Sequence, residues 1–121
     1  MELNTIGLPQ ARRIALAAQG FANRRSSTVS RQSIARILRQ VGLFQIDSVN
    51  IVTRAHYMPL FSRAGPYPQP HLDRTLSHTP RLSFEYWAHE ASLLPVETQP
   101  LLRWRMARAR EGRGIDRKSV V

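Results

Sequence analysis

The chain has no cysteine, which excludes disulfides and any thiolate-held metal and fits a reducing compartment. It has a single lysine, Lys118, beside 17 arginines. Acid is scarcer still, because Asp47 is the only carboxylate between Glu2 and Asp73. No apolar run is long enough to span a membrane, and the N-terminus lacks the basic-then-apolar layout of a signal peptide. These absences predict a soluble, intracellular protein with no membrane partner.

What is present points to polyanions. The formal charge is +10 and the isoelectric point about 11.6, and residues 3–72 carry nine arginines around that one carboxylate. Arginine displaces counterions from phosphates whatever the base sequence, so nucleic acid is the first partner class to weigh. The blander reading is a ribosome-associated protein, or one that is merely rich in arginine. With 121 residues, 42% of them hydrophobic, the chain can bury one modest core.

Periodicity then places the elements. Pro9 suits a first helical position, and Ile14, Ala17, Ala18 and Phe21 recur at helical spacing with Gly20 near the end of the segment. Ser30 is placed to cap a second helix carrying Ile34, Ile37, Leu38 and Val41, stopped by Gly42. Leu43 to Ile46 reads as an extended connector. A third helix is predicted from Asp47 or Ser48 through Val49, Val52, Ala55 and His56 to about Pro59. Residues 64–70 form a loop rich in proline, and a short helix follows from about Pro70 to Ser77. Leu82, Phe84 and Tyr86 alternate with Ser83, Glu85 and Trp87, which predicts a strand with one buried face. Ala91 to Leu94 returns as its partner, with His89 and Glu90 in the turn. Pro95 opens a basic helix running to about Arg110. The fold class expected is mainly α with a small β-hairpin, a winged helix-turn-helix spanning residues 8–110.

Gln45 and Asp47 stand two apart around Ile46. In an extended segment such residues face one way, leaving Ile46 to face the core. A carboxylate beside an amide suits hydrolysis through an oxocarbenium-like sugar: the acid stabilises the cation and directs water, and the amide holds water or sugar. The competing reading is structural, with Asp47 or Ser48 capping the third helix and Gln45 solvated.

Four blocks bear on this choice: residues 42–50 (Gly-Leu-Phe-Gln-Ile-Asp-Ser-Val-Asn), 54–67 (Arg-Ala-His-Tyr-Met-Pro-Leu-Phe-Ser-Arg-Ala-Gly-Pro-Tyr), 84–95 (Phe-Glu-Tyr-Trp-Ala-His-Glu-Ala-Ser-Leu-Leu-Pro) and 101–106 (Leu-Leu-Arg-Trp-Arg-Met). In this order they resemble the YcaQ-like branch of the winged-helix crosslink-repair DNA glycosylases, relatives of AlkZ. The family's Gln-apolar-Asp motif falls on Gln45, Ile46 and Asp47. The aspartate in last place sides with the YcaQ type, since AlkZ-type relatives have glutamine there. The resemblance implies monofunctional hydrolysis of the N-glycosidic bond of N7-alkylated purines in double-stranded DNA, including unhooking of interstrand crosslinks. It implies no metal or organic cofactor and no obligate protein partner. Family proteins are several times longer, built from tandem winged-helix units, so this chain corresponds to the first unit. Residues 111–121 read as a foreign tail: Asp116-Arg117-Lys118-Ser119-Val120-Val121 is the translation expected of a sequencing-adapter sequence, which predicts a truncated reading frame.

Other candidates follow. Arg54 and Arg63 lie near the motif and are expected to hold phosphates. His89 at a hairpin tip is placed to touch DNA, although an anchoring role for the turn is the stronger reading. Phe84, Tyr86 and Trp87 could stack on a base, but the alternation of Leu82, Phe84 and Tyr86 more simply means one buried hairpin face. Arg12, Arg13, Arg36 and Arg39 read as solvated helix faces. The four histidines, His56, His71, His78 and His89, lack zinc-ligand spacing. The alternatives to a glycosylase are a non-enzymatic winged-helix DNA binder or regulator, and an RNA-associated basic protein.

Overall fold

The computed structural model describes residues 5–25, 28–48 and 50–112. Among them are helices α1 (Leu8–Ala18), α2 (Arg31–Val41), α3 (Met58–Ala64), α4 (Pro70–Ser77) and α5 (Gln99–Arg110). Strands β1 (Phe44–Gln45), β2 (Ser83–Trp87) and β3 (Ala91–Pro95) form one antiparallel sheet of order β1-β3-β2. Five helices with a small three-stranded sheet are compatible with a winged helix. The expected tail lies, from residue 113 onward, outside the described residues.

The helix α2 organises the core. Ser30 accepts a hydrogen bond from the Ser33 amide at 3.2 Å, satisfying a donor that the first turn leaves free. At the other end Gly42 takes φ +90°, a conformation that L side chains rarely adopt, and its N–H closes onto the Leu38 carbonyl. Between these stops the Ile34, Ile37 and Leu38 face is buried against Phe44, Leu60, Leu72 and Leu93. These seven side chains join one helix face to β1, α3, α4 and β3. Strand β1 extends the expected connector, and it adds a third strand to the expected hairpin because Ile46 N–H donates to the Ala91 carbonyl at 2.7 Å.

Three expectations are corrected. First, no helix starts at Asp47 or Ser48: among the described residues 46–54 none is helical, and Arg54 is extended. A 3-10 turn over Ala55–Tyr57 leads into α3, with Pro59 in the first turn rather than at the end. The β-branched Val49, Ile51, Val52 and Thr53 disfavour helix, and a proline without N–H fits where that donor has no partner. Second, α1 forms but buries none of its side chains, and Ile14 and Leu16 remain about half exposed. It is held by its C-terminal end instead: Gln40 Nε2 donates to the Ala18 carbonyl (3.1 Å) and Arg63 Nε to that of Gln19 (2.6 Å). The backbone there passes so close to α2 that a Cβ on Gly20, at φ +87°, would lie 2.9 Å from Gln40 Oε1. Third, the fully buried position of β2 is Ser83, whereas Leu82, Phe84 and Tyr86 are only half-buried. Ser83 Oγ meets Thr75 Oγ1 at 2.6 Å, and Thr75 Oγ1 donates to the Leu72 carbonyl, so a satisfied polar pair joins α4 to the sheet.

Candidate active site

The Gln-Ile-Asp segment leaves the sheet at the end where the hairpin turns. Phe44 pairs with Leu93 and Gln45 with Ser92, and on the far side of β3 Ser92 pairs with Tyr86 and Leu93 with Glu85. Side chains directly opposite in antiparallel strands share a face, so Gln45, Ser92 and Tyr86 form one row across the sheet and Phe44, Leu93 and Glu85 a row on the other face. Phe44 is in the core and Ile46 packs against it, while Gln45 between them is exposed. The Arg105 guanidinium of α5 lies 5.7 Å from the Tyr86 ring centroid, on the sheet face that Gln45 shares.

The bond from Ile46 N–H to the Ala91 carbonyl is the last rung between β1 and β3. Asp47, half-buried, is one residue beyond it on β1. On the other strand Glu90 is one residue beyond and His89 two, both exposed in the turn. The fold therefore brings Gln45, Asp47 and His89 to one end of the sheet, and adds Glu90 as a second carboxylate. Among the described residues that follow Asp47, none up to Arg54 is helical, so the helix-capping account has no helix there to act on.

Arg54 stands apart from this group. It is exposed, immediately before the 3-10 turn, and its charge is felt by His56 and Tyr57. Burial holds the His56 imidazole below its usual value against the opposing pull of Asp73, and Arg54 lowers it further. The Tyr57 hydroxyl donates to Asp73 Oδ1 (2.8 Å) and the Tyr67 hydroxyl to the Tyr57 carbonyl (3.0 Å); burial pushes both phenols up. These contacts fix α4 against the segment that follows the motif. His56 is buried, as a packed residue would be, with Nδ1 unpartnered among the described residues.

Arg63 has a different setting. Its Nε serves the Gln19 carbonyl, its Nη1 reaches the Pro59 carbonyl and Ser62 Oγ (both 3.1 Å), and its guanidinium lies 4.4 Å over the Phe21 ring. It also lines a cleft with Arg24, Arg25 and Arg36, and none of the residues lining that cleft is acidic. Sequence reasoning left these three out of the site, treating Arg36 as a solvated face and giving the Arg24-Arg25 doublet no role. The doublet was the available signal. Its meeting with Arg36 depends on how α1 returns to α2, which no local pattern encodes.

A carboxylate and an amide at a sheet end can stabilise positive charge developing on a bound group, and the arginine cleft, lined by none of the motif residues, can hold a polyanion. The described residues hold no group of three or more His, Cys, Asp or Glu side chains suited to a metal, and no helix long and apolar enough to cross a membrane. A family model described as DNA glycosylase AlkZ-like matches residues 38–120, more than half of the 121. The chain belongs to this family. No solved structure matches it.

Proposed function

We propose that this member of the AlkZ-like DNA glycosylases carries the catalytic motif for hydrolysing the N-glycosidic bond of N7-alkylated purines in duplex DNA, crosslinked purines included. Alkylation at N7 makes the base cationic, so when the C1′–N9 bond breaks, the electron pair leaves with the base and neutralises it. The deficit passes to the sugar as an oxocarbenium-like cation. Asp47 stabilises that cation, directs a water to C1′ and takes up its proton, while Gln45 orients the water or the sugar. Arg54 and His89 are assigned to the DNA backbone, and Arg63, tied to the Gln19 and Pro59 carbonyls, to shaping the arginine cleft that meets it. The observation that carries this reading is the pinning of Ile46 by its backbone bond to Ala91 and its packing on the core, which leaves Gln45 outside the core and Asp47 away from any helix start. The resemblance is to longer proteins, so base release is assigned to a protein with further winged-helix units, and the 121 residues alone to weak DNA binding.

The test is base release from an N7-alkylated duplex by full-length protein with Asp47→Asn. The substitution is expected to lower the rate by about 10²- to 10⁴-fold, the usual range for a positioned acid-base group, with duplex affinity retained. Undiminished release would overturn the assignment. It would favour a non-enzymatic DNA binder, a reading supported by the acid-free arginine cleft.

A further inference from the structure

The two most exposed large hydrophobic residues in the described chain are neighbours. Ile51 is 90% exposed and Val52 93%, well above Ile14 at 54% or Trp104 at 58%. They sit in the bend over residues 51–53, with described anchors on either side: Ile46 by its bond to Ala91, Thr53 by a 2.9 Å hydrogen bond from Gln69 Nε2 to its Oγ1. Both side chains are β-branched and stiff at χ1, so little rotamer freedom is lost when they are clasped. Two such residues in water forgo burial worth about 1.5–3 kcal/mol each, which marks a surface completed by something else.

We propose that Ile51 and Val52 form a wedge that enters the base stack of duplex DNA and fills the space left when the damaged nucleotide turns out toward Asp47. The inference rests on the glycosylase reading above. Charge names the occupant: a chain of +10, with exposed Arg54 two residues past Val52, brings phosphates rather than another apolar protein face to this bend. Reach sets the position. Ile51 is four chain steps from Asp47, so the tip lies within about 14 Å of the carboxylate's Cα. That is roughly four base steps at ~3.4 Å, close enough for one element to hold the gap while the other meets the extruded sugar. Apolar side chains inserted between base steps unstack them, and the cost is least at a damaged step.

The experiment measures the full chain binding two uncleavable duplexes, one intact and one with a single tetrahydrofuran abasic analogue. The protein is expected to prefer the gapped duplex by roughly tenfold, the scale of one stacking contact. The Ile51→Ser/Val52→Ser pair should lose that preference, keep its intact-duplex affinity within about twofold because phosphate contacts persist, and melt like the parent. The Ile51→Leu/Val52→Leu pair should keep the preference. A preference undiminished in the serine pair, a parent that does not discriminate, or a parent dimer that the serine pair dissolves would each overturn the wedge. Because neither duplex is cleaved, discrimination is independent of catalysis. Base release that survives Asp47→Asn defeats the catalytic assignment, whereas discrimination that survives the serine pair defeats only the wedge.

Discussion

At the scale of single residues, His56 is the most informative titrating group. It is buried, and burial holds its imidazole below the ordinary histidine value of about 6.5, so on acidification the unfolded chain binds the proton first. Stability from this site is therefore complete above about pH 6.5 and declines as pH falls toward the depressed folded value. A melting series from pH 7.5 to 5 should show a falling midpoint, flattened in His56→Gln. An unchanged slope in that variant would assign the acid sensitivity elsewhere. Asp47 presents a different kind of problem. Its scarcity and its spacing from Gln45 were legible from residue order, but the rival capping role could be dismissed only once the segment after it was seen to bend.

Among elements, α2 is the best specified, because cap, apolar face and glycine stop all agree. Ser30→Ala removes the side-chain acceptor for the Ser33 amide and should cost about 1 kcal/mol, read as a lowered denaturation midpoint. Helix α4 and the hairpin were equally legible, since Pro70 and the alternation from Leu82 to Trp87 are local signals. The third helix was misplaced because Val49, Val52 and Ala55 mimic a helical stripe, while the β-branched residues and Pro59 push helix formation downstream. Helix α1 was found, but its packing was not. An apolar stripe says that a face can be buried without naming what covers it, and the described residues leave Ile14 and Leu16 half open. The buried Ser83 escaped notice for a related reason: its partner, Thr75, lies on another element.

Across the whole molecule, the excess of arginine divides into structural and available charge. Arg63 is tied to the carbonyls of Gln19 and Pro59, and Arg39 pairs with Glu97, whereas Arg24 and Arg36 are exposed at the rim of the cleft. Salt titrations of duplex binding should separate the two kinds. Arg36→Ala or Arg24→Ala is expected to reduce the slope of log K against log salt by about 1 each, as one phosphate contact is lost. A slope unmoved by both changes would take the cleft off the DNA path. The sheet unites the remaining features, because its middle strand serves both edges. Rocking of the His89–Glu90 turn by a passing phosphate would tug on the Ala91 carbonyl, and the amide of Ile46 would follow. On the proposed reading, contact at the hairpin turn and aim at the sugar would be geared together, so a loosely seated helix of DNA would find the acid and amide out of alignment.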